Sequence, residues 1–246
     1  MPNLIVHSLP MPQLGRQRSI RVLLPRNYHS EPQRRFPVLY LHDGQNLFDA
    51  HTAALGEWKL RRRMARQPLY RQAILVGIDN GGIDRTQEYA PFRRGRQGGQ
   101  GDGYLRFIAE TLKPFIDTHY RSWPQREATG MVGSSLGGLI TFHAAMHYRA
   151  VIGKFGILSP ALWFNPQVAS HLRPAQEWPV QVYLCGSRTE MRSMGGALEN
   201  LYWNFQKAGY SDAQVRVVIR DQGRHGEAFW GREFKPMFEW LFPRTL

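Results

Sequence analysis

The sequence predicts an α/β fold with a mostly parallel central sheet and helices on both faces, on three observations. Strand-like and helix-like stretches alternate along all 246 residues, the order in which crossover helices return each strand parallel to the last. Phe36-Pro37-Val38-Leu39-Tyr40-Leu41-His42 and Ala73-Ile74-Leu75-Val76-Gly77-Ile78-Asp79 are almost continuously apolar, as interior strands covered on both faces must be. Thr129-Gly130-Met131-Val132-Gly133-Ser134-Ser135-Leu136-Gly137-Gly138-Leu139 places a Gly-x-Ser-x-Gly turn between an apolar run and a segment of helical spacing. No repeat or linker interrupts the pattern, so residues 1–246 read as one domain.

The elements follow in order. Leu4 to Leu9 alternates weakly, and Arg18 to Leu24 ends at Pro25, so the two form an antiparallel start to the sheet. Asn27 to Arg35 is a polar loop before the Phe36–His42 strand. Gly56 to Gln67 carries Trp58, Leu60 and Met64 among many arginines and reads as a helix with a basic face. After the Ala73–Asp79 strand, Asn80 to about Gly103 reads as a long mobile loop. Its glycines do not match a phosphate-binding loop. Leu105, Ile108, Leu112, Phe115 and Ile116 mark one helical face, which Pro114 is expected to kink or shorten. Beyond the serine turn come strands at Phe155–Pro160, Val180–Cys185 and Val215–Ile219. A helix carrying Leu198, Leu201, Tyr202 and Phe205 and a final amphipathic helix over Glu227–Phe242 complete the chain.

Composition bounds the function. The formal charge is +13, and only five of the 32 basic residues are lysine (59, 113, 154, 207 and 235). A basic surface attracts anions, but no zinc-finger spacing, aromatic RNA-binding pattern or basic zipper accompanies it. Nucleic acid is therefore not an expected partner. No run approaches the ~18 apolar residues of a membrane span. Met1–His7 lacks a basic segment followed by a long apolar one, so no signal peptide is expected. Cys185 is alone, and with no internal disulfide possible the chain reads as cytoplasmic. Its apolar neighbours make it a buried small hydrophobe rather than a nucleophile.

The serine turn carries the chemistry. Gly133 and Gly137 flank a turn too tight for side chains, and Ser135 is expected in a strained conformation with its hydroxyl above the sheet. A serine needs an adjacent base, and in folds with this turn the partners follow as serine, acid, histidine. His225 meets that demand, in a glycine-rich loop between the last strand and the last helix. Trp230 is expected beside it or under the helix. Glu190 follows the strand ending at Cys185 and is the leading acid, with Arg188 as a competing ion-pair partner. Glu199 is the serious alternative, and Asp212 and Asp221 are weaker ones. An oxyanion hole needs two fixed backbone N–H groups. Leu136 should supply one and Gln45 the other, since Gly44 would let that turn approach the substrate.

Other residues point elsewhere. His143 and His147 stand four apart, but the glutamate of a zinc-protease helix is missing. No metal is expected. His42 would touch substrate or bond its own loop. Trp163 and Phe164 would wall a substrate pocket or join the core.

Tyr40-Leu41-His42-Asp43-Gly44-Gln45-Asn46-Leu47-Phe48-Asp49, Gly133-Ser134-Ser135-Leu136-Gly137-Gly138, Ser159-Pro160-Ala161-Leu162-Trp163, and His225 with Trp230 together resemble the putative-esterase family of α/β-hydrolases. Enterochelin-type, feruloyl and acetylxylan esterases, S-formylglutathione hydrolases and mycolyltransferases belong to it. The resemblance runs from about residue 36 to 230. It implies a serine carboxylesterase on small-molecule esters, without metal or organic cofactor and without a separate lid domain. Ser135 would be nucleophile and His225 base, with the N–H groups of Gln45 and Leu136 as oxyanion hole. Members with the acid directly after the strand favour Glu190; the Leu-Glu-Asn context of mycolyltransferases favours Glu199. Acyl transfer or thioester hydrolysis on the same residues is the alternative chemistry, and a binding protein that kept the fold is the alternative class.

Overall fold

The apolar runs become strands of one eight-stranded sheet, ordered β1-β2-β4-β3-β5-β6-β7-β8. The computed structural model describes residues 3–54, 56–175 and 178–243. The strands are β1 (Leu4–Met11), β2 (Arg16–Leu23), β3 (Val38–His42), β4 (Ile74–Ile78), β5 (Thr129–Ser134), β6 (Lys154–Leu158), β7 (Gln181–Ser187) and β8 (Val215–Arg220). β2 pairs antiparallel with both β1 and β4. Every other pairing is parallel.

Parallel strands need covering on both faces, and alternate side chains supply two cores. Val38 and Tyr40 of β3 join one apolar cluster, Leu39 and Leu41 the other. The first is closed by α3 (Gly101–Arg106) and the stretches after it, α5 (Leu136–His147) and α6 (Met194–Lys207). The second is closed by α1 (Leu60–Ala65) and α7 (Glu227–Leu241). The order of strands matters for the site. After β3 the chain moves one way to β4, then crosses to the other side of β3 for β5. Connections from β3 and β5 thus diverge, which opens a crevice outside their carboxyl ends. No helix among the described residues is long and apolar enough to cross a membrane.

Three expectations need correction. The helix expected over Gly56–Gln67 spans only Leu60–Ala65, because Lys59 lies in left-handed backbone (φ 60°) that no helix can continue through. The expected mobile loop after β4 is folded. It contains a 3-10 turn (Gly82–Asp84) and α2 (Arg85–Tyr89). Glu88 is fully buried there and paired with Arg16 at 2.9 Å and Arg18 at 2.5 Å; a buried carboxylate needs such partners. Lastly, Pro114 does not shorten its helix, although the α-helical ladder is interrupted just before it. α3 passes through a π-helical stretch (Phe107–Leu112) into α4 (Lys113–His119), with Pro114 at its second residue. The π-helical widening that ends two residues before Pro114 changes the bonding ladder just where the proline's missing N–H would otherwise break it.

His42, the last residue of β3, is the wedge between sheet and serine turn. It is buried, its Nδ1 is hydrogen-bonded to the Tyr104 hydroxyl at 2.8 Å, and its ring packs against Tyr89 and Tyr104. It therefore faces the interior and ties the end of β3 to α3, rather than bonding its own loop. Burial pushes its imidazole from 6.5 down to about 3. Between those values the unfolded chain binds a proton that the folded chain refuses, so stability falls as pH drops through that window. Denaturant titrations should show a steeper acid loss for wild type than for His42→Gln; equal slopes would contradict this. A β-carbon on Gly133 would lie 2.2 Å from the Gly137 oxygen and 2.6 Å from the His42 ring. Gly133→Ala should lose about 1–3 kcal/mol of stability from overpacking, at roughly 2–4 °C of Tm per kcal/mol for this size. A thermal melt within a degree of wild type would refute that packing.

Candidate active site

The serine turn lies at the carboxyl end of β5, on one wall of the crevice. Ser135 has φ 57° and ψ −121°, a conformation that persists only when its surroundings enforce it. Here main-chain bonds do so. Ser135 N–H donates to the Leu158 carbonyl at 3.0 Å, and its own carbonyl accepts from Ala161 N–H at 2.9 Å. Gly138 is needed as well, since a β-carbon there would meet the Leu158 oxygen at 2.9 Å. α5 is buried on nearly every side, as a helix apolar all round must be.

His225 reaches the serine from the loop between β8 and α7. Its Nε2 lies 3.0 Å from Ser135 Oγ, and its Nδ1 lies 3.0 Å from Glu190 Oε2. The Glu190 side chain is fully buried, while 34% of the His225 side chain is exposed. Ser187 N–H donates to Glu190 Oε1 at 2.6 Å and fixes the carboxylate. Both loops are stitched together, because the Ser187 and Thr189 hydroxyls each donate to the Gly223 carbonyl at 3.0 Å. Trp230 packs edge-on against the His225 ring at 4.9 Å, and its indole N–H donates to Ser159 Oγ at 2.9 Å.

The other acids lie elsewhere. Arg188 pairs with Glu199 at 3.1 Å and not with Glu190, so the expected competition is absent and Glu199 belongs to an exposed surface pair. Asp212 accepts from Tyr202 and Gln206. Asp221 is 97% exposed, 4.0 Å from Arg188.

The opposite wall is the turn after β3. Asp43 is left-handed (φ 56°, ψ 46°) and starts a single 3-10 turn, Gly44–Asn46. The backbone N–H groups of Gln45 and Leu136 donate to no acceptor among the described residues. Gly44 also has a packing reason to be glycine. A β-carbon there would strike the β4 backbone, 2.7 Å from Gly77 C and 2.8 Å from Ile78 N. Glycine is thus required for the turn to lie on the neighbouring strand. Asn46 Nδ2 donates to Glu227 Oε1 at 3.0 Å, linking this turn to the residue two beyond His225. Burial holds the Glu227 carboxyl above its usual range, and the nearby Asp43 acts in the same direction.

Sequence reasoning missed the polar frame behind this turn. Arg85 grips Asp43 through Nε at 2.7 Å and Nη2 at 2.9 Å. Asn80 Nδ2 donates to Asp43 Oδ1 at 2.6 Å. Asp43 and Arg85 stand 42 residues apart, and no motif spacing joins them. The Asp43-Gly44 dipeptide was the one local signal, since Asp is among the few residues that tolerate the left-handed backbone found there.

A depression of about 640 Å³ beside the histidine loop is lined by Thr189, Gln222, Arg224, Phe229 and Arg232 among others. A larger one, about 710 Å³, is lined by Arg26, Lys59, Arg61 and Arg62 among others, and neither depression is lined by Ser135, His225 or Glu190. Trp163 is exposed, with the Arg94 guanidinium over its ring, whereas Phe164 is buried. The His143 and His147 rings lie 4.3 Å apart, tilted by 40° to one another. Among the described residues no group of three or more His, Cys, Asp or Glu could hold a metal ion. Cys185 is buried, and burial pushes its thiol upward.

Comparison with known proteins agrees with this architecture. The Esterase family, described as Putative esterase, matches residues 11–244. An uncharacterised protein of Bacillus subtilis (strain 168), YbbA, is 25% identical over 243 residues, 93% of this chain and 94% of that one. The Iron(III) salmochelin esterase of Escherichia coli O6:H1 (strain CFT073) is 24% identical over 235 residues. That match covers 88% of this chain and 52% of the relative, so the chain spans about half its length. The solved structure of siderophore hydrolase EstA from Aspergillus nidulans has a TM-score of 0.76 at 20% identity, over 98% of this chain and 94% of that one. At that identity the likeness speaks for the fold. With a mostly parallel sheet, a serine turn at its switch point and a family match over nearly its whole length, the chain belongs to the putative esterase family of α/β-hydrolases and is a carboxylic ester hydrolase.

Proposed function

We propose that the chain hydrolyses esters through an acyl-enzyme on Ser135, with His225 as base and Glu190 as acid. One observation carries the reading: the unbroken row from Ser135 Oγ to His225 Nε2 and from His225 Nδ1 to Glu190, each step 3.0 Å. Ser135 Oγ attacks the ester carbonyl while its proton passes to His225 Nε2. The buried Glu190 holds the imidazole in the required tautomer and offsets the imidazolium that forms. The N–H groups of Gln45 and Leu136 receive the developing oxyanion. His225 then gives its proton to the departing alkoxide, and water, activated by the same imidazole, releases the acid. Serine regains its proton, and the enzyme is unchanged.

The names of the relatives suggest which esters to try first. One acts on Iron(III) salmochelin and another is a siderophore hydrolase, so ferric siderophore esters head the panel, beside simple aryl and alkyl esters.

Ser135→Ala should abolish both fluorophosphonate labelling and p-nitrophenyl acetate turnover; labelling that survives the substitution would remove Ser135 from the mechanism. Glu190→Gln should lower kcat by roughly 10²–10⁴-fold through a misplaced tautomer, whereas Glu199→Gln should leave kcat within about twofold, as expected for an exposed pair. Similar effects from both substitutions would mean that neither is the acid.

A further inference from the structure

We propose that Arg85 is a positioning residue for the oxyanion turn and acts through Asp43. This rests on Gln45 N–H being an oxyanion donor.

The argument begins with backbone. Asp43 is a non-glycine residue in left-handed conformation immediately before the turn that presents Gln45. Such strain survives only where contacts over-determine it. The contacts come mainly from the segment after β4. Arg85 holds both carboxylate oxygens of Asp43, at 2.7 and 2.9 Å. Asp43 Oδ1 also accepts from Asn80 Nδ2 at 2.6 Å. Asp43 N–H donates to the Tyr89 hydroxyl at 3.1 Å, and the Arg85 guanidinium lies over the Tyr89 ring. Asn80 N–H donates to the Gln45 side-chain oxygen at 3.1 Å. The Gln45 turn is therefore suspended from Asn80, Arg85 and Tyr89.

Charge adds a second demand. A β-carbon on Gly137 would stand 3.4 Å from Asp43 Oδ2. The carboxylate thus lies beside the start of α5, next to Leu136. Left alone, a mostly buried negative charge there opposes the oxyanion that Leu136 and Gln45 are to receive. The guanidinium removes that opposition, since a forked pair neutralises and orients the carboxylate at once. Lysine, as a point charge, neutralises without the fork.

The test uses the full chain, with kcat and KM for p-nitrophenyl acetate and a thermal melt for each variant. Arg85→Met should lower kcat roughly 10²-fold, the effect of impairing one oxyanion donor, with KM within about threefold as for a group acting in the transition state. Arg85→Lys should recover about a tenth of wild-type kcat, in keeping with a retained charge and a lost fork. The double variant Asp43→Asn with Arg85→Met should exceed Arg85→Met alone, because asparagine keeps the left-handed backbone and removes the uncompensated charge. Wild-type kcat in Arg85→Met, a loss confined to KM, or a double variant no better than Arg85→Met overturns the proposal. If Arg85→Met does not fold, Arg85→Lys at wild-type kcat overturns it. Ser135→Ala in the same assay separates the two readings: turnover that survives there sinks the nucleophile assignment before any Arg85 variant is compared.

Discussion

The close approach of the serine turn to the end of β3 is the contact on which the site depends. Gly133 and Gly137 allow it. With a side chain at Gly133, the Gly137 carbonyl and the His42 ring would be displaced together. Because β5 lies directly beside β3 in the sheet, this one approach brings the two walls of the crevice together. It also explains why His42 is buried and bonded inward. The ring fills the space that the glycines leave, and Tyr104 takes one of its nitrogens.

Electrostatics follow from the same geometry. Several acidic groups are drawn into the interior near the crevice, and each is given a partner of its own. Glu190 has Ser187 N–H and His225. Asp43 has Arg85 and Asn80, and Glu227 has Asn46. A buried carboxylate without such contacts would be too costly to keep ionised. The arginine surplus at the surface is a separate matter. Exposed pairs such as Arg188–Glu199 are screened by solvent and contribute little to stability.

The segment between β4 and α3 shows how far composition can mislead. Its glycines and arginines have the look of an unconstrained loop, yet Glu88 and Tyr89 are fully buried. The arginines that neutralise Glu88 stand on β2, about seventy residues earlier. Local propensity holds no trace of partners so distant. The same reason hid the Asp43–Arg85 pair, although Asp43 directly follows a recognisable strand.

The residues themselves determined the parallel sheet and the serine turn, because both are written in short-range patterns. Continuous apolar runs demand covering on two faces, and a turn that tight demands glycine on either side of Ser135. The placing of His225 beyond the last strand was legible too, since chain order in such folds is constrained. Which carboxylate meets the imidazole was left open between Glu190 and Glu199. Only the tertiary structure separates them. Glu190 is folded inward and tied to Ser187, nine residues before Glu199, which turns outward to Arg188. Gly44 reads from the sequence as glycine for the ligand's sake, and the assembled sheet adds a second reason, the backbone of the neighbouring strand. Spacing along a chain says which residues can come near a site. Direction and burial say which of them do, and those arise only when the sheet is assembled.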